Sequence, residues 1–205
     1  LTFSSGNWST SQVITLTGVD DNVSDGSQST LLTLTPSSSG DSKYNSSSLA
    51  QSLTTVTTDN DTVGLVLSKT TATLSESGTM DNFSVVLTSE PTANVTLTLS
   101  DNDSTEVSAT PSTLSFGSGN WSVAQWVTLT GKDDNVSDDN QSVLLTLTPS
   151  SSDSKYNSSS LAQTLTVTTS DNDTVGLLVS RDNVTVDERS GTDNFTVRLL
   201  TEPTD

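Results

Sequence analysis

Residues 94–99 read Asn-Val-Thr-Leu-Thr-Leu, an alternation in which every second side chain is apolar. A period of two is that of a strand buried on one face, so Val95, Leu97 and Leu99 are predicted to enter a core while Asn94, Thr96 and Thr98 face solvent. The pattern recurs along the chain. It predicts strands at Val63–Leu67, Thr71–Ser75, Phe83–Leu87, Val95–Leu99, Gln125–Thr130, Val143–Leu147 and Leu161–Thr168, with a shorter pairing segment around Leu114–Phe116. Turns rich in Gly, Asn, Asp and Ser separate these runs, and no stretch keeps a helical apolar period. Short strands at this density predict an all-β chain built as an antiparallel β-sandwich, with almost no helix.

The strands belong to a longer repetition. Gly-Asn-Trp-Ser at 6–9 returns at 119–122, and Asp-Asp-Asn-Val-Ser-Asp at 20–25 returns at 133–138. Ser-Lys-Tyr-Asn-Ser-Ser-Ser-Leu-Ala-Gln at 42–51 returns at 154–163, Asp-Asn-Asp-Thr-Val-Gly-Leu at 59–65 returns at 171–177, and Glu-Pro-Thr at 90–92 returns at 202–204. The spacing is about 112 residues, which predicts tandem sandwiches. Residues 63–173 form one complete repeat, 1–62 the C-terminal part of a preceding one and 174–205 the N-terminal part of a following one. Asp205 aligns with Ala93 and Leu1 with Leu114. A window on a longer array is the favoured reading of this phase. The other is end-to-end docking of copies, in which two chain ends would rebuild a repeat lacking residues 94–113. Adjacent repeats or further copies of the chain are thus the expected protein partners.

Composition narrows the function. Hydrophobic residues are 30% of the chain, against about 45–50% in ordinary globular domains, which suits a thin sandwich better than a large enzyme core. The net charge is −18 with seven basic residues, so nucleic acid and anionic lipid are poor partners. Divalent cations are better ones, because clustered carboxylates bind hard ions through oxygen. There is no cysteine and no histidine, no Gly-x-Ser-x-Gly elbow, and too few aromatics to line a deep sugar-cleaving cleft. The chain is not expected to be an enzyme. No apolar run reaches membrane-spanning length, so no insertion is expected in this segment.

All fourteen asparagines stand in Asn-x-Ser/Thr triplets: Asn7, Asn22, Asn45, Asn60, Asn82, Asn94, Asn102, Asn120, Asn135, Asn140, Asn157, Asn172, Asn183 and Asn194. Ser and Thr are 76 of 205 residues, so chance alone would leave most asparagines outside such triplets. The triplet is the acceptor signal for N-linked glycan on exposed positions of secreted proteins. Covalent glycans and an extracellular or cell-surface location are therefore expected.

The order of motifs resembles the Calx-β family and its bacterial relatives, extracellular tandem sandwiches of immunoglobulin-like form. The residues that carry the likeness are Glu76 ahead of Phe83-Ser-Val-Val-Leu, the Glu90-Pro-Thr-Ala turn, Leu114-Ser-Phe, and Gln125-Trp-Val-Thr-Leu-Thr-Gly-Lys-Asp-Asp. Asp138-Asp139, Val143–Leu147 and the closing Asp171-Asn-Asp continue it. The resemblance implies a calcium site at one tip of the sandwich. The matching positions are Glu76, Asp133, Asp134, Asp138, Asp171 and Asp173, with Asp20, Asp21, Asp25, Asp59, Asp61 and Glu188 in the partial copies. The loop after Asp133-Asp134 departs from the family, reading Asn-Val-Ser-Asp-Asp-Asn-Gln where glutamates and a glycine are usual. The alternative for all these acids is that they are solvated turn residues. Calcium is thus a candidate ligand, and no other cofactor is implied.

Three tryptophans complete the inventory. Trp8 and Trp121 are expected to close one end of the core. Trp126 shares a strand with inward Val127 and Leu129, which turns it outward to pack on a neighbouring repeat or beneath a glycan. Together these readings predict a structural stalk or fibril of stacked sandwiches sheathed in N-linked glycan. The alternative is a calcium-stiffened extender region of a cell-surface adhesin.

Overall fold

The computed structural model describes residues 1–37 and 40–204; Ser38, Ser39 and Asp205, the residue aligned with Ala93, lie outside it. The chain divides into two compact units, Leu1–Asp61 and Thr62–Asp205. In the first, β1 (Gln28–Leu34) and β2 (Gln51–Thr57) pair antiparallel, with Gln28 opposite Thr57 and Leu34 opposite Gln51. Two single 3-10 turns, Ser42–Tyr44 and Ser47–Leu49, lie between them, and each is opened by an Asp41 or Ser46 side chain accepting an amide proton.

The second unit holds the sandwich. Its strands are β3 (Leu65–Leu67), β4 (Thr71–Ser75), β5 (Met80–Leu87), β6 (Val95–Asp101), β7 (Val107–Thr110), β8 (Thr113–Phe116), β9 (Gln125–Gly131), β10 (Gln141–Ser151) and β11 (Gln163–Ser170). One sheet runs β4-β11-β10-β6-β8 and the other β3-β5-β9-β7. The first strand of the sandwich is divided between them: β3 pairs antiparallel with β5, whereas β4 pairs with β11 in the opposite sheet. The β4–β11 ladder is parallel, with Thr71 opposite Thr166 and Ser75 opposite Ser170. Beyond the sandwich, β12 (Leu177–Val179) and β13 (Val197–Leu199) form an antiparallel pair.

The predicted alternation sets the core. Val95, Leu97 and Leu99 are buried, together with Phe83, Val85, Leu87, Val127, Leu129, Val143, Leu145, Leu147, Leu165 and Val167 from the facing rows. Thr71–Ser75 forms as expected, and the strands at Phe83 and Val143 are longer than their apolar cores because polar residues continue the ladders. Leu161 belongs to a 3-10 turn at Ser159–Leu161 rather than to the strand that begins at Gln163. The short β7 was not anticipated, because Val107 is its one large apolar side chain. Among the described residues there is no α-helix, and no helix is long and apolar enough to cross a membrane.

A buried tyrosine ties the loop before β11 to the end of β5. Tyr156 Oη donates to the Ser89 carbonyl oxygen at 2.7 Å and lies 2.9 Å from Ser89 Oγ, with both residues about 1% exposed. Removing that hydroxyl leaves Ser89 without its partner in a dry site. Tyr156→Phe is therefore expected to lower stability by about 1–2 kcal/mol, read from denaturant unfolding.

Candidate functional site

The parallel β4–β11 pair decides where the acids meet. Because Ser75 and Ser170 lie side by side, the next residues on each strand, Glu76 and Asp171, leave the sheet together. The Glu76 amide donates to the Ser170 carbonyl at 3.2 Å. On the other sheet Gly131 stands opposite Val107, and the Lys132 amide donates to the Glu106 carbonyl at 2.8 Å. That contact sets Glu106 beside the loop carrying Asp133, Asp134 and Asp138. One carboxylate oxygen from each of Glu76, Asp171 and Asp173 can be chosen so that all three lie within 4.8 Å of one another.

The sheets close tightly here. A Cβ on Gly131 would stand 2.2 Å from the Ser75 carbonyl oxygen, a backbone atom that cannot swing aside. Gly131→Ala is expected to force the end of β9 away from Ser75-Glu76 and to cost roughly 1–3 kcal/mol as an overpacked substitution. Thermal unfolding measures that loss.

Backbone amides brace the acidic loops. Asp134 Oδ1 accepts from the Val136 amide at 2.7 Å, and Asp171 accepts from the amides of Asp173 and Asp139 at 2.6 and 3.0 Å. The Asn172 side-chain amide donates to Asp133 Oδ1 at 2.9 Å, and the Asn172 backbone amide donates to Glu76 Oε2 at 3.3 Å. Burial and then the charges of Asp138, Glu76, Asp103 and Asp134 push the Glu106 carboxyl up to about 7. Burial also raises Glu76, offset in part by the Asn172 amide and reinforced by Asp171, Asp134 and Asp138. Asp173 is raised by burial and then by Asp171, Asp133 and Asp134. Among the described residues the ion pairs Lys69–Asp81 and Arg181–Asp193, each at 2.6 Å, lie elsewhere.

Four buried oxygens in or beside this tip lack a hydrogen-bond partner: Glu76 Oε1, Glu106 Oε2, Thr169 Oγ1 and Asp173 Oδ2. Buried polar groups in folded proteins are satisfied with few exceptions, and converging carboxylates repel unless a proton or cation neutralises them. The donor set is all oxygen and strongly anionic, which fits Ca²⁺ and excludes soft metals. Glu76, Glu106, Asp134, Asp138, Asp171 and Asp173 are the residues that would hold such an ion. Sequence reading missed Glu106, since it lies outside the recurring Asp-rich words and ahead of the unrecognised β7. Its signal is an acid immediately ahead of the alternating Val107 and Ala109.

In the first unit the same turns recur. Asp21 accepts from the Val23 amide at 2.9 Å, and Asp59 accepts from the amides of Asp61 and Gly26 at 2.8 and 2.6 Å. Asp61 is raised by burial and then by Asp59, Asp20 and Asp21, while Asp25 occupies the turn before Gly26. Glu188 stands exposed between Asp187 and Arg189.

Thirteen of the fourteen triplet asparagines are exposed and Asn7 is half-buried. Several are also bonded within the fold. Asn7 and Asn120 each accept one backbone amide at 2.6 Å and donate to a carbonyl at 3.1 Å, and Asn102 accepts from the Leu144 amide at 2.6 Å. Trp121 packs against the core as expected, whereas Trp8 is 73% exposed. The core against which Trp121 packs has no counterpart among the described residues of Leu1–Asp61. The loop holding Asp133–Asp138 also meets the segment beyond the sandwich. The Glu202 amide donates to the Asn135 carbonyl at 2.7 Å, and Val136, Val175, Leu199 and Pro203 help line a cavity of about 240 Å³.

No family model and no curated protein matches the chain. Among solved structures it is similar to the apo-form Calx CBD1 domain, with 20% identity, a TM-score of 0.39, and 54% of this chain and 98% of that one covered. It is similar to SSP-19, an MSP-domain protein like family member of Caenorhabditis elegans, at 9% identity and a TM-score of 0.38, with 51% and 98% covered. The E. coli chaperone DraB gives 9% identity and a TM-score of 0.41, with 70% and 88% covered. The sandwich assignment rests on the strand pairing itself, and these likenesses single out no family.

Proposed function

We propose that the chain is a non-catalytic segment of an extracellular stalk or adhesin extender, in which stacked β-sandwiches are stiffened by calcium at their acidic ends. The observation that carries this reading is the set of buried, unpartnered oxygens on Glu76, Glu106 and Asp173 where the carboxylates converge. Bound calcium would supply the positive charge that the site lacks. The loop residues Asp133–Asp138 would then be held against Glu76 and Asp171, and through Asn135 against Glu202. Calorimetric titration of the chelator-stripped chain with calcium tests this. Saturable binding is expected, weakened at least about tenfold by Glu76→Gln; absence of binding overturns the proposal.

A second reading, a glycan-sheathed fibril indifferent to calcium, is favoured by the exposure of thirteen triplet asparagines. Glycan on Asn172 would compete with its bond to Asp133, so full occupancy there and a high-affinity calcium site oppose each other. Glycopeptide mass spectrometry of the native protein across all fourteen positions distinguishes the two. Occupancy at the tip together with insensitivity to chelator supports the sheath.

A further inference from the structure

We propose that the indole of Trp126 is a platform for the first sugar of a glycan attached to Asn82. The inference rests on Asn82 being a glycan acceptor, and it adds a defined non-covalent contact to that reading.

Register places the two residues. On neighbouring strands β5 and β9, Asn82 lies opposite Thr128 and Ser84 lies opposite Trp126. The inward face of these strands is Phe83, Val85, Val127 and Leu129, so Asn82, Ser84, Trp126 and Thr128 share the outer face. Asn82 and Trp126 are therefore diagonal neighbours, at about 7–8 Å, a separation that an aromatic side chain bridges. Asn82 is also the one triplet asparagine that lies inside a strand. Its attachment point is thereby fixed relative to the neighbouring strand.

Trp126 is anomalous where it stands. It is 61% exposed on a face made mostly of Ser and Thr, with exposed Met80 at the far end of β5 and half-exposed Val66 and half-buried Val86 at one side. A Thr at this position would serve the strand equally well. An indole in water instead leaves a large apolar face uncovered. The carbon–hydrogen face of a pyranose is flat, weakly apolar and of matching size. A sugar joined to Asn82 Nδ2 begins one bond from the amide, within reach of the ring, and its tethering removes most of the entropy cost of association.

The linkage itself requires a lipid-diphosphate-linked sugar and a transferase supplied by the host. Nδ2 displaces the diphosphate from the anomeric carbon, a carbon–nitrogen bond replaces a carbon–oxygen bond, and Nδ2 loses one proton and keeps the other. Trp126 takes no part in that transfer. Its role begins once the sugar is present, by covering the ring and restricting the glycan to the face of the β3-β5-β9-β7 sheet.

The test is a four-variant cycle in the full chain made in a glycosylating host: unmodified sequence, Trp126→Thr, Asn82→Gln and both. Glycopeptide mass spectrometry first reads occupancy at Asn82. With Asn82 occupied, Trp126→Thr is expected to lower the unfolding temperature by roughly 3 °C, and in the Asn82→Gln background by less than about 1 °C. Acrylamide quenching of tryptophan fluorescence is expected to increase more on enzymatic deglycosylation where Trp126 and Asn82 are both present than where either is replaced. Equal effects of Trp126→Thr in both backgrounds, with Asn82 occupied, overturn the platform and leave the acceptor reading intact. An unmodified Asn82 among otherwise occupied triplets overturns the platform alone, and unmodified asparagines throughout overturn both.

Discussion

Glu106→Gln is expected to raise the unfolding temperature of the calcium-free chain and to remove most of the protection that calcium confers. On the proposed calcium reading the two effects have opposite signs, because the same carboxylate is a liability without a cation and would be a ligand with one. In chelator at pH 8 the wild-type side chain is buried, anionic and near Asp138, Glu76 and Asp134. A neutral amide of the same shape escapes that repulsion, and the gain should be roughly 4 °C. At a free calcium level a hundredfold above the dissociation constant, the wild type gains about 2.7 kcal/mol, or roughly 5–10 °C for a unit of this size. Scanning calorimetry of both proteins with and without calcium reads all four values. A variant that loses stability in chelator and keeps the full calcium response would show that Glu106 is a packing residue only.

The second large effect is on pH. The Glu106 carboxyl titrates at about 7 in the folded chain against an ordinary value of 4.5, so the native state holds a proton that the unfolded state releases. Its contribution to stability is fully present below pH 4.5 and disappears as pH rises through 7. Calcium-free protein should therefore lose on the order of 3 kcal/mol between pH 5 and pH 8. Calcium bound as proposed would displace that proton, so at saturating calcium the slope should flatten or reverse. Below about pH 4 the curve turns over, because Asp81 and Asp103 are held below the usual carboxylate range by hydrogen bonds from Lys69 and from Thr105. Urea midpoints across this range, with and without chelator, give both curves. A calcium-free profile flat from pH 5 to 8 would contradict the assigned environment of Glu106.

The core of the sandwich was legible because period-two alternation is local. Val95, Leu97 and Leu99 announce their inward face in six residues, and the structure buries all three. The short β7 and the 3-10 turn at Ser159–Leu161 were not legible, since one depends on pairing with the distant Gly131 end of β9 and the other on a serine cap in a run of serines. The acidic tip was legible by residue type but not in full. Asp133, Asp134, Asp171 and Asp173 sit in recurring words, while Glu106 reaches the tip through a strand pairing that its own neighbours do not encode.

The direction of one ladder governs how the sandwich responds to force. β4 enters near the start of the sandwich and β11 leaves near its end, and the two run parallel over Thr71–Ser75 and Thr166–Ser170. Tension applied at residues 63 and 173 pulls these neighbours in opposite senses along their length. Their hydrogen bonds then share the load in shear instead of failing one after another as in a peeled hairpin. The ladder ends at Ser75 and Ser170, directly beneath Glu76 and Asp171, so an ion between those carboxylates would clamp the loaded pair at the end where it would first slide.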